Sequence, residues 1–198
     1  MINVSRGPLG IYAPIFGGET KPTVCIADFP LKWTVAGIAK FYDKGVNSII
    51  PSQRAIPATL MDPKIKNRSR MWYQMANIEV SQMEGDNNMA LLIDPDGYIA
   101  EGTGDNFFIV KNGELYTPTT ECCLDGITRQ IIIKTAKENN IKVTEKHIIM
   151  DDVIQADEAF LTGTAAEITS ISAIAEHVYK DNPISQILYS KFYQLTQS

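Results

Sequence analysis

The run YIAEGTGDNFFIVKNGELYTPTTECCLDGITR, from Tyr98 to Arg129, decides how this chain folds. Tyr98 to Glu101 predicts a short apolar strand whose last residue is an acid, and Gly102, Thr103 and Gly104 turn the chain at once. Asn106 to Val110 predicts a second strand, Lys111-Asn112-Gly113 a tight turn, and Glu114 to Tyr116 a third strand. Asp125-Gly126-Ile127-Thr128-Arg129 then opens an apolar helix. One short piece of chain thus supplies a carboxylate at a strand end and a helix N-terminus. Together they can hold a ligand with a basic ring nitrogen at one end and a phosphate at the other.

Upstream, Met1 to Lys21 is rich in glycine and proline, with a strand expected near Ile11–Phe16 and a loop at Arg6–Gly10. This opening is too short to fold alone and reads as the tail of something larger. Pro22 to Phe29 predicts a buried strand, Thr34 to Tyr42 a helix stopped by Lys44-Gly45, and Val46 to Pro51 another strand. After a proline-punctuated loop, Ile65 to Met83 carries the longest helical pattern, with Met71, Met75, Ile78 and Met83 near one face. Met89 to Ile93 and the Asp94-Pro95-Asp96-Gly97 turn complete a hairpin into the central stretch.

Downstream, Ile127 to Asn139 predicts an amphipathic helix, Ile141 to Ile148 a strand and Met150 to Ile154 a helical turn. Glu158 to Leu161 predicts a strand that runs into Thr162-Gly163-Thr164-Ala165-Ala166-Glu167, and Ile184 to Gln194 a final helix. Helices and hairpins alternate irregularly, which favours an α/β (mixed α+β) fold on a mixed sheet over a doubly wound parallel one.

Composition narrows the function. The 198 residues are 44% hydrophobic and 21% charged, ordinary values for a globular chain with one good core. The net charge of -5 and a pI near 5.1, with no basic stripe, argue against nucleic acid as a partner. No apolar run reaches about 18 residues and no basic-then-apolar leader is seen in the sequence, so neither membrane insertion nor secretion is expected. Three cysteines, two of them adjacent (Cys122 and Cys123), suit a reducing cytosol better than a disulfide framework. With two histidines and no CxxC, no metal site is expected.

Three features carry chemistry, and each has a plainer explanation. Lys66 lies just inside a proline-led helix start in DPKIKNRSR, where five of nine residues are charged, so that taken alone it reads as part of a solvated helix end. Glu101 before its glycine turn can simply accept backbone amides. The Gly126–Thr128 helix start and the Gly163–Ala166 turn present free N–H groups, which attract phosphate or carboxylate but also occur in ordinary capped turns. Gly102–Gly104 lacks the third glycine and the βαβ setting of a dinucleotide fingerprint. Taken together, a lysine, an acid at a strand end and two anion-binding turns are what a pyridoxal 5'-phosphate site needs.

These motifs resemble the fold-type IV (class IV) pyridoxal-phosphate aminotransferases, a family that includes branched-chain and D-amino acid aminotransferases and 4-amino-4-deoxychorismate lyase. The resemblance runs from about Ser5 to near Leu195 and is most specific in PKIKNRSR, in GYIAEGTGDNFFIVKNGELYTP, and in LDGITR with ADEAFLTGTAAEIT. It implies a large domain built on a mixed-sheet pseudo-barrel with flanking helices over residues 22–198. Residues 1–21 would be the remnant of a small N-terminal domain and its linker. It implies Lys66 as the Schiff-base lysine and Glu101 as the acid on the pyridine nitrogen. Ile127, Thr128 and Thr164 would bind phosphate, and Thr164 with Ala165 the substrate carboxylate.

GTAAEIT is closest to the branched-chain type. The resemblance therefore implies ping-pong transamination between an amino acid and a 2-oxo acid by a cytoplasmic homodimer. Departures from the family pattern, including the lack of the usual glycines in EHVYKDNPIS, keep a truncated, catalytically impaired scaffold open, and the lyase is a further alternative. The small domain, with its phosphate-gripping arginine, lies upstream of the matched region. The aromatic residue that many branched-chain enzymes place five positions after the lysine is Met71 here, with Trp72 and Tyr73 just beyond.

Overall fold

The computed structural model describes residues 1–7, 9–18 and 21–197, so the Arg6–Gly10 loop falls in part on a position outside the described residues. The chain divides into two compact units, Met1–Gly37 and Ile38–Ser198. In the first, β1 (Ile2–Ser5) and β2 (Thr23–Ile26) form an antiparallel ribbon with Ile2 opposite Ile26. The strand expected over Ile11–Phe16 is instead a 3-10 helix, Gly10–Phe16. Pro14 within it has no N–H for a ladder, and Gly17, at a φ of 77°, ends the turn in the left-handed region. The strand expected to be buried, β2, is exposed: Val24 and Ile26 show 58% and 76% of their surface, because a two-stranded ribbon has no third layer to cover it. The helix α1 (Leu31–Lys44) crosses the division between the units.

The second unit is organised by a ring of strands. In chain order it contains β3 (Val46–Ile49), α2 (Met71–Ser81), β4 (Asn88–Ile93), β5 (Ile99–Gly102), β6 (Asn106–Lys111) and β7 (Glu114–Thr117). There follow α3 (Ile127–Glu138), β8 (Val143–Glu145), α4 (Met150–Ile154), β9 (Glu158–Gly163), β10 (Glu167–Ile174), β11 (His177–Val178) and α5 (Pro183–Thr196). β10 pairs parallel with β3, β3 parallel with β4, and β4, β5, β6, β9 and β10 then pair antiparallel in turn, so the ring closes on itself. β7 and β8 extend from β6, and β11 extends from β10. The expected mixed sheet pseudo-barrel is the observed fold.

Strand periodicity explains where the core lies. Along β6, Phe107 and Ile109 join Leu91, Leu161 and Ile171 in one cluster, while Phe108 and Val110 face a second cluster with α3 and α5. There Phe108 and Phe160 stack with ring centres 5.1 Å apart. A third cluster packs Tyr73, Ala76 and Val80 of α2 on Ala90, Leu92 and Ala100. The apolar face marked by Met71, Met75 and Ile78 is not the one that packs here, since all three are exposed. The helix also starts at Met71, not Ile65, because local bonds compete with it. The Asp62 carboxylate accepts from the Lys64 N–H (2.9 Å), and the Asn67 carbonyl accepts from Arg70 Nε (3.0 Å). β10, rich in threonine and serine, escaped the sequence reading because its polar residues hide the alternation.

Glu158 is a charged residue in the middle of this packing, 2% exposed. From β9 it accepts the free N–H groups of Ile184 (2.8 Å) and Ser185 (2.9 Å) at the start of α5, where a negative charge also meets the positive end of the helix dipole. Glu158→Ala leaves the buried Ser185 donor and the half-buried Ile184 donor without partners and should cost about 2–4 kcal/mol in urea denaturation. An unchanged midpoint would show that α5 does not depend on this cap.

Candidate active site

Ring closure brings two turns together. Asn106 of β6 lies opposite Glu101 of β5 on one side and Thr162 of β9 on the other, so the 102–105 and 163–167 turns share one mouth of the barrel. Glu101, at the strand end, is held by three donors. The Tyr73 hydroxyl donates to Oε1, and the Leu124 N–H (3.0 Å) and Asn106 Nδ2 (3.5 Å) donate to Oε2. Asn106 Nδ2 also bonds the Leu124 carbonyl at 2.7 Å. Burial raises the Glu101 pKa, while the bonds from Tyr73 and Leu124 and the charges of Arg70 and Lys66 pull against that rise.

Two glycines permit this crowding. A Cβ on Gly126 would lie 2.2 Å from Asn106 Oδ1, and one on Gly163 would lie 2.3 Å from Asp105 Oδ1. A side chain at either position would have to displace that amide or carboxylate, so the start of α3 packs directly on the Asn106 side chain and the end of β9 on that of Asp105.

Lys66 is not at a helix start as expected; it lies in the irregular segment before α2. Its side chain lines two cavities that share Lys66, Gly104 and Thr164 in their walls. The first, about 280 Å³, adds Lys64, Ile127, Thr128 and the Gly126 helix start to those three. The second, about 350 Å³, is apolar on the side of Ile38, Phe41, Met89 and Leu161, and has Ala165 and Asp105 in its wall. Of the residues singled out in the sequence, Lys66, Ile127, Thr128 and Thr164 thus meet at one cavity and Ala165 at its neighbour. Glu101 lines neither. It stands one hydrogen bond behind the first, through Leu124 and Asn106, which do line it.

The electrostatics favour a reactive amine. Burial lowers the Lys66 pKa, Arg70 lowers it further, and Glu101 and Asp105 oppose both. Asp105 is pushed up to about 6 by burial and by the charge of Glu101, with Lys66 drawing it back. Tyr73, Asn106 and Asp105 were not foreseen as parts of the site. A single sequence offers no signal for Tyr73 or Asn106, because their positions follow from strand register and from where α2 docks. Among the described residues no cluster of three or more histidine, cysteine or acidic side chains could hold a metal.

Comparison with known proteins places this geometry in a wider group. Residues 1–174 match the model of the family described as amino-transferase class IV. The branched-chain-amino-acid aminotransferase of Pseudomonas aeruginosa is 50% identical over 92 residues, which are 46% of this chain and 30% of that protein. The crystal structure of a branched-chain aminotransferase from Thermoproteus uzoniensis with norvaline superposes with a TM-score of 0.79 at 32% identity, covering 89% of this chain and 57% of that one. That of the branched-chain amino acid aminotransferase from Thermobaculum terrenum, in its PLP-bound holo form, gives 0.74 at 30% identity, covering 90% and 58%. The chain spans little more than half the length of these solved relatives, and its match covers less of the Pseudomonas protein.

Folding raises the pKa of Asp105 from 3.8, so its contribution to stability is fully present below that value and is lost as pH climbs through about 6. Asp105→Asn removes that loss. Measured by urea denaturation, stability should shift in favour of the asparagine variant by about 2 kcal/mol between about pH 4 and about pH 8. A difference that stays flat over this range would contradict the burial of the acid.

Proposed function

The chain belongs to the amino-transferase class IV family, and on that footing we propose that it binds pyridoxal 5'-phosphate and moves an amino group between a branched-chain or similar amino acid and a 2-oxo acid. One observation carries the reading: a single cavity has in its wall Lys66, the Gly126–Thr128 start of α3, whose first N–H groups have no intrahelical partner, and Thr164 of the turn after β9. Amine at one side and anion-binding amides at the other suit an aldehyde that also bears a phosphate. The donor set fits that cofactor in a second way. Thr162, in the wall of the same cavity, has a buried hydroxyl without a hydrogen-bond partner among the described residues.

In this proposal Lys66 Nζ would hold the cofactor aldehyde covalently with loss of water, be freed when the substrate amine takes its place, and as the free amine take and return the proton of the substrate carbon. Its lowered pKa supports that role, since only the neutral amine is nucleophilic or basic. Bound pyridoxal phosphate supplies an aromatic ring that accepts the electron pair left when that proton is removed. Glu101 would keep the ring nitrogen protonated, and its three fixed donors hold the carboxylate in one orientation for that task. Ile127, Thr128 and Thr164 would grip the phosphate, with Lys64 adding positive charge at the wall. Thr164 and Ala165 would meet the substrate carboxylate.

Residues 22–198 would form the cofactor-binding domain and residues 1–21 the end of a smaller one. We further propose a homodimer in a reducing cytoplasm. The exposed Met71, Met75 and Ile78 on α2 and the unpaired state of Cys25, Cys122 and Cys123 support it. Among the described residues no helix is long and apolar enough to cross a membrane.

Borohydride reduction after incubation with pyridoxal phosphate should attach one cofactor to Lys66, located by peptide mass, and Lys66→Ala should abolish the adduct. Leucine with 2-oxoglutarate should then give glutamate in the native chain alone. An adduct without turnover would leave a cofactor-binding scaffold, turnover of aminodeoxychorismate would favour the lyase, and an unchanged adduct in Lys66→Ala would rule out Lys66.

A further inference from the structure

Thr162 is 1% exposed, and its Oγ1 has no hydrogen-bond partner among the described residues. A buried hydroxyl in that state carries a desolvation cost that a hydrophobic residue of the same shape does not. Elsewhere in this sheet Thr117 Oγ1 bonds the Phe107 carbonyl at 2.8 Å and Thr169 Oγ1 bonds the Ala166 carbonyl at 3.0 Å, while Ser48 Oγ of β3 is, like that of Thr162, buried without a partner but lines neither cavity that holds Lys66. Thr162 differs from them in position. It lies on β9 directly across from Asn106, one residue before the Gly163–Thr164 turn, in the wall of the cavity that Lys66, Gly126 and Thr128 share. Asn106, its cross-strand neighbour, directs its own donor to Leu124 and Glu101, so that donor is not shared with Thr162.

We propose that Thr162 is a further cofactor-binding residue, whose hydroxyl finds its missing partner on an oxygen or ring substituent of pyridoxal phosphate. This rests on the proposed function and adds a side-chain anchor to the backbone amides on either side of the cavity. Without ligand the hydroxyl is a local defect, and with ligand the defect is relieved, so binding gains affinity from an unfavourable feature of the free protein.

The two states make opposite demands on this residue, and that separates binding from a structural role. Thr162→Val keeps the shape and removes the hydroxyl, whereas Thr162→Ser keeps the hydroxyl. The dissociation constant for pyridoxal phosphate is read by titration of absorbance on the full chain, and stability without cofactor by urea denaturation. The valine variant should bind roughly tenfold more weakly while its cofactor-free midpoint stays level or rises, and the serine variant should bind within about twofold of the native chain. Equal binding by the native and valine forms would overturn the proposal. So would weaker binding accompanied by a lower cofactor-free midpoint, which marks a structural hydroxyl. A native chain that takes up no pyridoxal phosphate would sink this inference and the cofactor reading together, whereas equal uptake sinks this inference alone.

Discussion

The pairing of β10 on both of its edges, with β9 on one side and β3 on the other, is the constraint from which the rest of the second unit follows. It turns an open mixed sheet into a ring. In an open sheet the 102–105 turn and the 163–167 turn would stand at ends of strands free to splay. In the ring, β6 is clamped between β5 and β9, and both turns are held at the same rim. The parallel β10–β3 and β3–β4 contacts add a second effect, because a parallel pair needs a long connection. The connection from β3 to β4 carries the Lys66 segment and α2. The strand pattern that closes the barrel thereby delivers the amine to its rim.

Burial without neutralisation governs the chemistry there. Glu101, Asp105, Tyr73 and Lys66 have all moved away from their charged forms, with burial the leading cause for each. Among the described residues no salt bridge joins Lys66 to Glu101 or Asp105, and the charges of these groups act on one another at longer range. Hydrogen bonds to Glu101 keep its direction fixed despite the shift.

Much of this was legible in the residues. The Tyr98–Arg129 stretch has the alternation, turns and helix start that the structure shows, because its strands are short, apolar and bounded by glycine or asparagine. The meeting of Ile127, Thr128, Thr164 and Lys66 at one cavity follows from motifs that could be named in advance. What stayed hidden depends on packing between distant segments. The Ile65–Arg70 portion obeys helical periodicity, yet Asp62 and Asn67 bond their own neighbours and hold it open. The methionines of α2 have the spacing of a buried face, but the smaller Ala76 and Val80 dock more closely on β4 and β5. Strand β10, which closes the ring, is disguised by its hydroxyl residues. The strength of Thr162 as a candidate likewise comes from an unmet bond that only coordinates can reveal.

Ring formation has one more consequence, for the chain among other chains. A sheet usually ends in strands whose unpaired amides can recruit a foreign strand. Here the nine-stranded sheet ends, among the described residues, in β8 of three residues and β11 of two. Fragments so brief give an incoming polypeptide almost no ladder to extend, so the closure that gathers the walls of the Lys66 cavity also guards the sheet of the second unit against templated polymerisation.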